Sequence, residues 1–185
     1  MPARHVVVLG PMAVGKTTVA RALAARRGWP WRDSDADLTA ARGITGRQLA
    51  DAEGVDALHR WEAHDLLAAL ADPSPSVVAA AASVVDDPGC RAALTGAGAD
   101  VVVVVLTAPP AVLARRMAGD RHDADGGWRR DLGPDETAAI AALDRRREPE
   151  FRAVADAVVD TDGRTPDEVV SAVEDALSRS PGRAP

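Results

Sequence analysis

Gly10-Pro11-Met12-Ala13-Val14-Gly15-Lys16-Thr17 fills every fixed position of the pattern GxxxxGK[ST]. The apolar run His5-Val6-Val7-Val8-Leu9 precedes it, and a helix-forming stretch, Thr17–Arg27, follows. Strand, glycine loop and helix in that order make a phosphate-binding loop. Gly10 and Gly15 permit backbone angles that a side chain forbids, so consecutive N–H groups can turn inward around phosphate oxygens. The helix that starts near Lys16 adds the positive end of its dipole. Lys16 can reach the β- and γ-phosphates, and the Thr17 hydroxyl can ligate Mg²⁺. The expected nucleotide contacts are Gly10, Ala13, Val14, Gly15, Lys16, Thr17 and Thr18.

The rest of the chain agrees with a compact nucleotide-binding domain. Its 185 residues suffice for one domain with a sizeable core, and 46% of them are hydrophobic. Only 3% are aromatic, so the core must be built from Val, Leu and Ala. So few aromatics argue against a base-stacking platform for single-stranded nucleic acid. A net charge of −6 argues against a reader of the phosphate backbone. The single cysteine, Cys90, excludes an intrachain disulfide and a cysteine-based zinc site, and reads as a packing residue. Leu9 runs straight into the glycine loop, which leaves no signal-peptide core, and no apolar run is long enough to span a bilayer. The expectation is a cytoplasmic monomer that binds neither membrane nor nucleic acid.

Apolar runs alternate with helical patterns. Strands are expected at His5–Leu9, Trp29–Asp33, Ser76–Ala80, Asp100–Leu106 and Ala157–Asp160. Val101–Leu106 is continuously apolar, as in a parallel strand covered on both faces. Helices are expected at Thr17–Arg27, Leu38–Arg42, Gly46–Glu53, Asp56–Ala71, Pro88–Thr95, Pro109–Met117, Asp135–Ala155 and Pro166–Ser178. Pro149 is expected to break or kink the helix that contains it. Alternation of this kind predicts an α/β fold with a doubly wound parallel sheet. Gly119–Gly133 is polar and glycine-containing, and its length is that of a lid. Residues 1–178 then form one domain that includes the lid, and 179–185 form a tail.

A second constellation, Asp33-Ser34-Asp35, follows the second strand. Ligands of open α/β sheets bind at the carboxyl ends of strands. Alternation along the strand would put Asp33 and Asp35 on one side. One carboxylate could hold Mg²⁺ or its water, and the other could accept a proton from an attacking hydroxyl. The competing reading is a helix N-cap, for which Asp and Ser are equally suited.

Taken in order, these residues resemble the shikimate kinase family, from about Val6 to about Leu177. That resemblance implies a P-loop NTPase of the nucleoside-monophosphate-kinase type with a five-stranded parallel sheet. It also implies ATP- and Mg²⁺-dependent phosphorylation of a small-molecule hydroxyl. On it, Asp33 looks like the metal-associated aspartate, with Thr17 the other metal residue. Asp35 looks like the substrate-binding aspartate and base. Glu62 matches the glutamate of an FRxxE motif, and Arg116 the nucleotide-contacting arginine before the lid. Arg147-Glu148-Pro149-Glu150-Phe151 matches RxPxF, so Arg147 looks like the arginine that grips a substrate carboxylate. Arg129 is the candidate lid arginine, with Arg121 its rival, and acts with Lys16 and Asp35 in catalysis.

Departures from the family pattern cluster on the acceptor side. His59 stands where FRxxE has its arginine, and Leu58 replaces the Phe. Imidazole lacks the planar fork that matches a carboxylate, so His59 is a candidate contact of altered chemistry. Arg60 is turned about 100° away around the helix and reads as a surface residue. Ala81-Ala82-Ser83 takes the place of a GGG turn, where methyl groups are expected to fill the space or forbid the turn. The acceptor is thus open between shikimate and another hydroxyl, on a sugar acid, a nucleoside or an antibiotic. A nucleotide-binding regulator without transfer activity is the remaining alternative.

Overall fold

The computed structural model describes residues 4–96, 100–120 and 135–179. In chain order the elements are β1 (His5–Leu9), α1 (Lys16–Arg27), β2 (Trp31–Asp33), α2 (Ser34–Arg42), α3 (Gly46–Glu53) and α4 (Val55–Ala71). Then come β3 (Ser76–Ala79), a short 3-10 helix (Ala82–Asp86), α5 (Pro88–Gly96), β4 (Val101–Thr107) and α6 (Pro110–Asp120). The last three are α7 (Glu136–Val154), β5 (Ala157–Asp160) and α8 (Pro166–Arg179). All five strands are parallel, in the order β2-β3-β1-β4-β5.

The alternation of side chains explains why helices cover both faces. Val6 and Val8 of β1, with Val102, Val104 and Leu106 of β4, join one core cluster with Leu23, Leu113 and Val173 from α1, α6 and α8. Val7 and Leu9, with Val101, Val103 and Val105, join the other with Leu66, Leu94 and Phe151 from α4, α5 and α7. β4 is therefore buried on both faces, as its unbroken apolar run requires. A small third cluster, Leu38, Leu49 and Leu58, holds α2, α3 and α4 together.

Several boundaries differ from the sequence expectations, for local reasons. β2 starts at Trp31 because Gly28, at φ 65°, ends α1 and the Trp29 N–H closes onto the Ala24 carbonyl. α2 starts at Ser34 rather than Leu38, because Asp33 caps it. Pro149 does not end α7. It lacks one N–H, but Phe151 and Val154 beyond it are anchored in the core and carry the helix through.

The site is assembled by strand ends. The glycine loop follows β1, Asp33 closes β2, and Ala80–Ser83 follows β3. These strands are neighbours, β1 beside β3 and β3 beside β2. Three loops at adjacent carboxyl ends, where the chain changes direction across the sheet, make the crevice in which such sheets bind ligands.

Candidate functional site

A cavity of about 300 Å³ opens at those strand ends. Its lining includes Lys16, Thr17, Asp33, Asp35, His59, Glu62, Ser83 and Arg147, so residues from widely separated segments meet there. Thr18, Ala13 and Gly15 also line it. Gly10 and Val14 are buried beneath the loop.

The glycine loop has the backbone its sequence requires. Gly10 lies at φ 139° and Gly15 at φ 100°. A Cβ on Gly10 would sit 2.3 Å from the Leu106 carbonyl oxygen, so β4 packs directly against the loop and only glycine fits. Ala13 takes a left-handed φ of 61°, the one described non-glycine residue to do so. The sequence gives no sign of this strain, and strained backbone of this kind concentrates at ligand-binding sites. Lys16 Nζ donates to the carbonyls of Gly10 (3.2 Å) and Pro11 (3.0 Å), which folds the side chain over the loop. Burial lowers its pKa to about 8, against the opposing pull of Asp33, Asp35 and Glu62.

The two carboxylate oxygens of Asp33 have separate partners, and one of them makes the N-cap. Oδ2 accepts a 2.6 Å hydrogen bond from the Thr17 hydroxyl. Oδ1 accepts from the Asp35 N–H at 3.1 Å and so caps α2. The expectation that Asp33 and Asp35 share a strand face is corrected, because the strand ends at Asp33 and Asp35 lies in the first turn of α2. Both still line the cavity. Loss of hydration, then the charge of Asp33, raises the Asp35 carboxyl to about 6, with Lys16 pulling the other way.

Arg32 is the positioning contact that the sequence reading missed. Its Nε donates to Asp37 at 2.9 Å and its Nη2 to Asp65 at 3.2 Å, which fastens α2 to α4 beside Asp33.

On the far wall, the Ser83 hydroxyl donates to Glu62. Burial raises Glu62 to about 7, with the Ser83 bond opposing and Asp35 adding to the rise. Of the two outcomes expected for Ala81-Ala82-Ser83, the methyl groups fill the space and do not forbid a turn. Ala81 sits at φ −61° and ψ 148°, and residues 82–86 form the 3-10 helix, all without a positive φ. Residues 79–82 instead give the cavity a wall of methyl groups.

Arg147 does line the cavity, but it is already engaged. Its Nε (3.1 Å) and Nη2 (2.7 Å) both donate to Asp86 Oδ2. Arg146 approaches the same oxygen at 3.3 Å. Burial pushes the Asp86 carboxyl up, yet the hydrogen bonds and charge of Arg147, with Arg146 and His59, hold it below the usual range. Of the acids that follow Arg147 on α7, Glu148 pairs with Arg152 and Glu150 with Arg91.

Arg116 reaches across to the base of the glycine loop. Nη1 meets the Val14 carbonyl (3.4 Å) and the Thr161 hydroxyl (2.9 Å), and Nη2 meets the Thr161 carbonyl (2.9 Å). The lid expected at 119–133 begins inside α6, and from residue 121 it lies outside the described residues, with Arg121 and Arg129. Cys90 is buried, and burial lifts its thiol to about 12, consistent with a packing role.

Comparison with known proteins gives one answer. The family model for shikimate kinase matches residues 12–178. A shikimate kinase from Aromatoleum aromaticum is 35% identical over 176 residues, 93% of each chain. One from Streptomyces coelicolor is 34% identical over 177 residues, 96% of this chain and 97% of the relative. Among solved structures, the shikimate kinase from Acinetobacter baumannii in complex with shikimate superposes with a TM-score of 0.82. It is 22% identical and covers 95% of this chain and 93% of its own, a likeness of fold. With its glycine loop on a five-stranded parallel sheet, the chain belongs to the shikimate kinase family and is an ATP-dependent small-molecule kinase that phosphorylates a hydroxyl group.

Proposed function

We propose that Lys16, Thr17, Asp33 and Asp35 carry the phosphoryl transfer, with ATP on the Gly10–Thr17 loop and the acceptor hydroxyl at Asp35. The observation that supports this most is that Lys16 and Asp35 line one cavity, with Thr17 and Asp33 bonded at 2.6 Å beside them. A hydroxyl and a carboxylate so close are hard oxygen donors suited to Mg²⁺. When bound, the ion would neutralise charge on the phosphate oxygens.

Lys16 supplies positive charge where the transferring oxygens become negative. Its lowered pKa, about 8, still keeps it cationic at neutral pH. Asp35 orients the acceptor hydroxyl and takes its proton. A carboxyl at about 6 is mostly ionised at pH 7 yet more basic than an ordinary aspartate. Arg116 steadies the loop from beneath through Val14. Arg129, which lies outside the described residues, completes the catalytic set with Lys16 and Asp35. His59 and Arg147 contact the acceptor. The functional unit is residues 1–178, acting as a monomer without nucleic acid or membrane.

The test is ADP release from Mg²⁺–ATP with a panel of hydroxyl compounds, including shikimate, with the phosphorylated product identified by mass. Acceptor-dependent ADP release, with phosphate on an acceptor oxygen, supports the reading. ADP release to water alone, unchanged by any acceptor, contradicts it.

A further inference from the structure

We propose that the acceptor is a single-ring polyhydroxy compound without a carboxylate, either uncharged or carrying an amino group. This deepens the phosphotransfer reading above and rests on it.

The first argument is the state of Arg147. Among the described lining residues, Lys16 and Arg147 are the lysine and arginine, and Lys16 belongs to the phosphate loop. A carboxylate is gripped best by the planar fork of an arginine. The Nε–Nη2 edge of Arg147 is closed by Asp86 at 3.1 and 2.7 Å. Its charge is offset by a carboxylate that is itself part-buried, 25% exposed at the side chain. A ligand carboxylate would have to displace Asp86 or accept a site whose cation is already neutralised. Stripping a buried carboxylate of its partner is costly.

The second argument is the field. Asp33, Asp35 and Glu62 all line the cavity. Carboxyl groups that share one space repel a further negative charge. A further anion on the acceptor would meet that repulsion, whereas an ammonium would be drawn in. The third argument is the wall. Ala79 to Ala82 present methyl groups, and residues 81–83 show no left-handed turn that would aim successive N–H groups at an anion. Methyls suit the face of a ring, while Asp35, His59, Glu62 and Ser83 offer side-chain partners to its hydroxyls. A cavity of about 300 Å³ shared with the phosphate loop limits the acceptor to one ring.

A matched pair isolates the carboxylate: shikimate and its methyl ester carry the same ring hydroxyls and differ in charge. Their binding to the full chain with Mg²⁺–ADP is measured by calorimetry, beside myo-inositol and 2-deoxystreptamine. The ester is expected to bind at least about tenfold more tightly than shikimate, and 2-deoxystreptamine more tightly than myo-inositol. Asp86→Asn keeps the shape but frees the charge of Arg147, and should shift the shikimate-to-ester ratio about tenfold toward shikimate. Shikimate binding as tightly as its ester overturns the proposal, and so does failure of all the compounds to bind. ADP release with whichever compounds bind keeps the two readings apart. Tight binding of the ester or cyclitol without phosphorylation contradicts the transfer reading alone. Preferential binding and phosphorylation of shikimate contradicts the acceptor class alone.

Discussion

The Thr17 hydroxyl donates to Asp33 Oδ2 across 2.6 Å, tying the first turn of α1 to the end of β2. The other carboxylate oxygen of Asp33 caps α2, so one side chain serves the nucleotide loop and the helix that carries Asp35. These two functions can be separated. Asn accepts a cap hydrogen bond as well as Asp does, but carries no charge. Asp33→Asn should leave the melting temperature within a few degrees of wild type while lowering kcat at least about tenfold. Asp33→Ala should lose the cap as well, at about 1 kcal/mol. Thermal melts beside steady-state rates check both.

The acidic cleft sets a pH profile. Asp35 at about 6 must be ionised to accept a proton, and Glu62 titrates near it at about 7. Acceptor kcat/KM should therefore fall as pH drops through this region, on an acid limb that belongs to the coupled pair. The stability effect runs the other way. A carboxyl raised in the folded state contributes its stability below its unfolded value and loses it as pH rises through the folded value. Glu62 should thus make the protein less stable between about pH 4.5 and 7, and Glu62→Gln should flatten that part of the melting curve against pH. A wild-type melting temperature that climbs over this window and is unchanged by the substitution would count against this account.

Gly10 is fixed by both its angle and its surroundings. A methyl there meets the Leu106 carbonyl oxygen at 2.3 Å on a backbone at φ 139°. Gly10→Ala should cost about 2–4 kcal/mol and lower the melting temperature by roughly 5–15 °C. Gly15, with nothing within 4 Å of an added Cβ, carries the angular strain alone and should cost less.

Ser83 holds the Glu62 carboxylate through its hydroxyl, which works against the rise in pKa. Ser83→Ala removes that donor, so the Glu62 carboxyl should titrate higher. The acid limb of the rate profile should move upward in Ser83→Ala, and an unmoved limb would count against the Ser83–Glu62 coupling.

Much of this was legible in the sequence because the signals were local. Val101–Leu106 could only be a strand buried on both faces, and the glycine pattern carries its own geometry. Asp33 is ambiguous in the sequence because cap and metal ligand ask for the same chemistry; in the fold one oxygen caps α2 and the other accepts from Thr17. The Arg147–Asp86 pair spans 61 residues, and nothing near either residue announces the other. At Ala81-Ala82-Ser83 the sequence left filled space and a lost turn both open, and the first holds because this turn needs no positive φ. Pro149 does not break α7, because its local cost is outweighed by the core anchoring of Phe151.

The central claim is that Lys16 drives phosphoryl transfer from ATP to a hydroxyl held at Asp35. Acceptor-dependent ADP release by wild type and by Lys16→Ala tests it most directly, with melting curves to show that both are folded. The account predicts at least about a thousandfold loss in the variant, as expected when a preorganised cation is removed from a transferring phosphoryl group. Retention of wild-type turnover by a folded Lys16→Ala would contradict it.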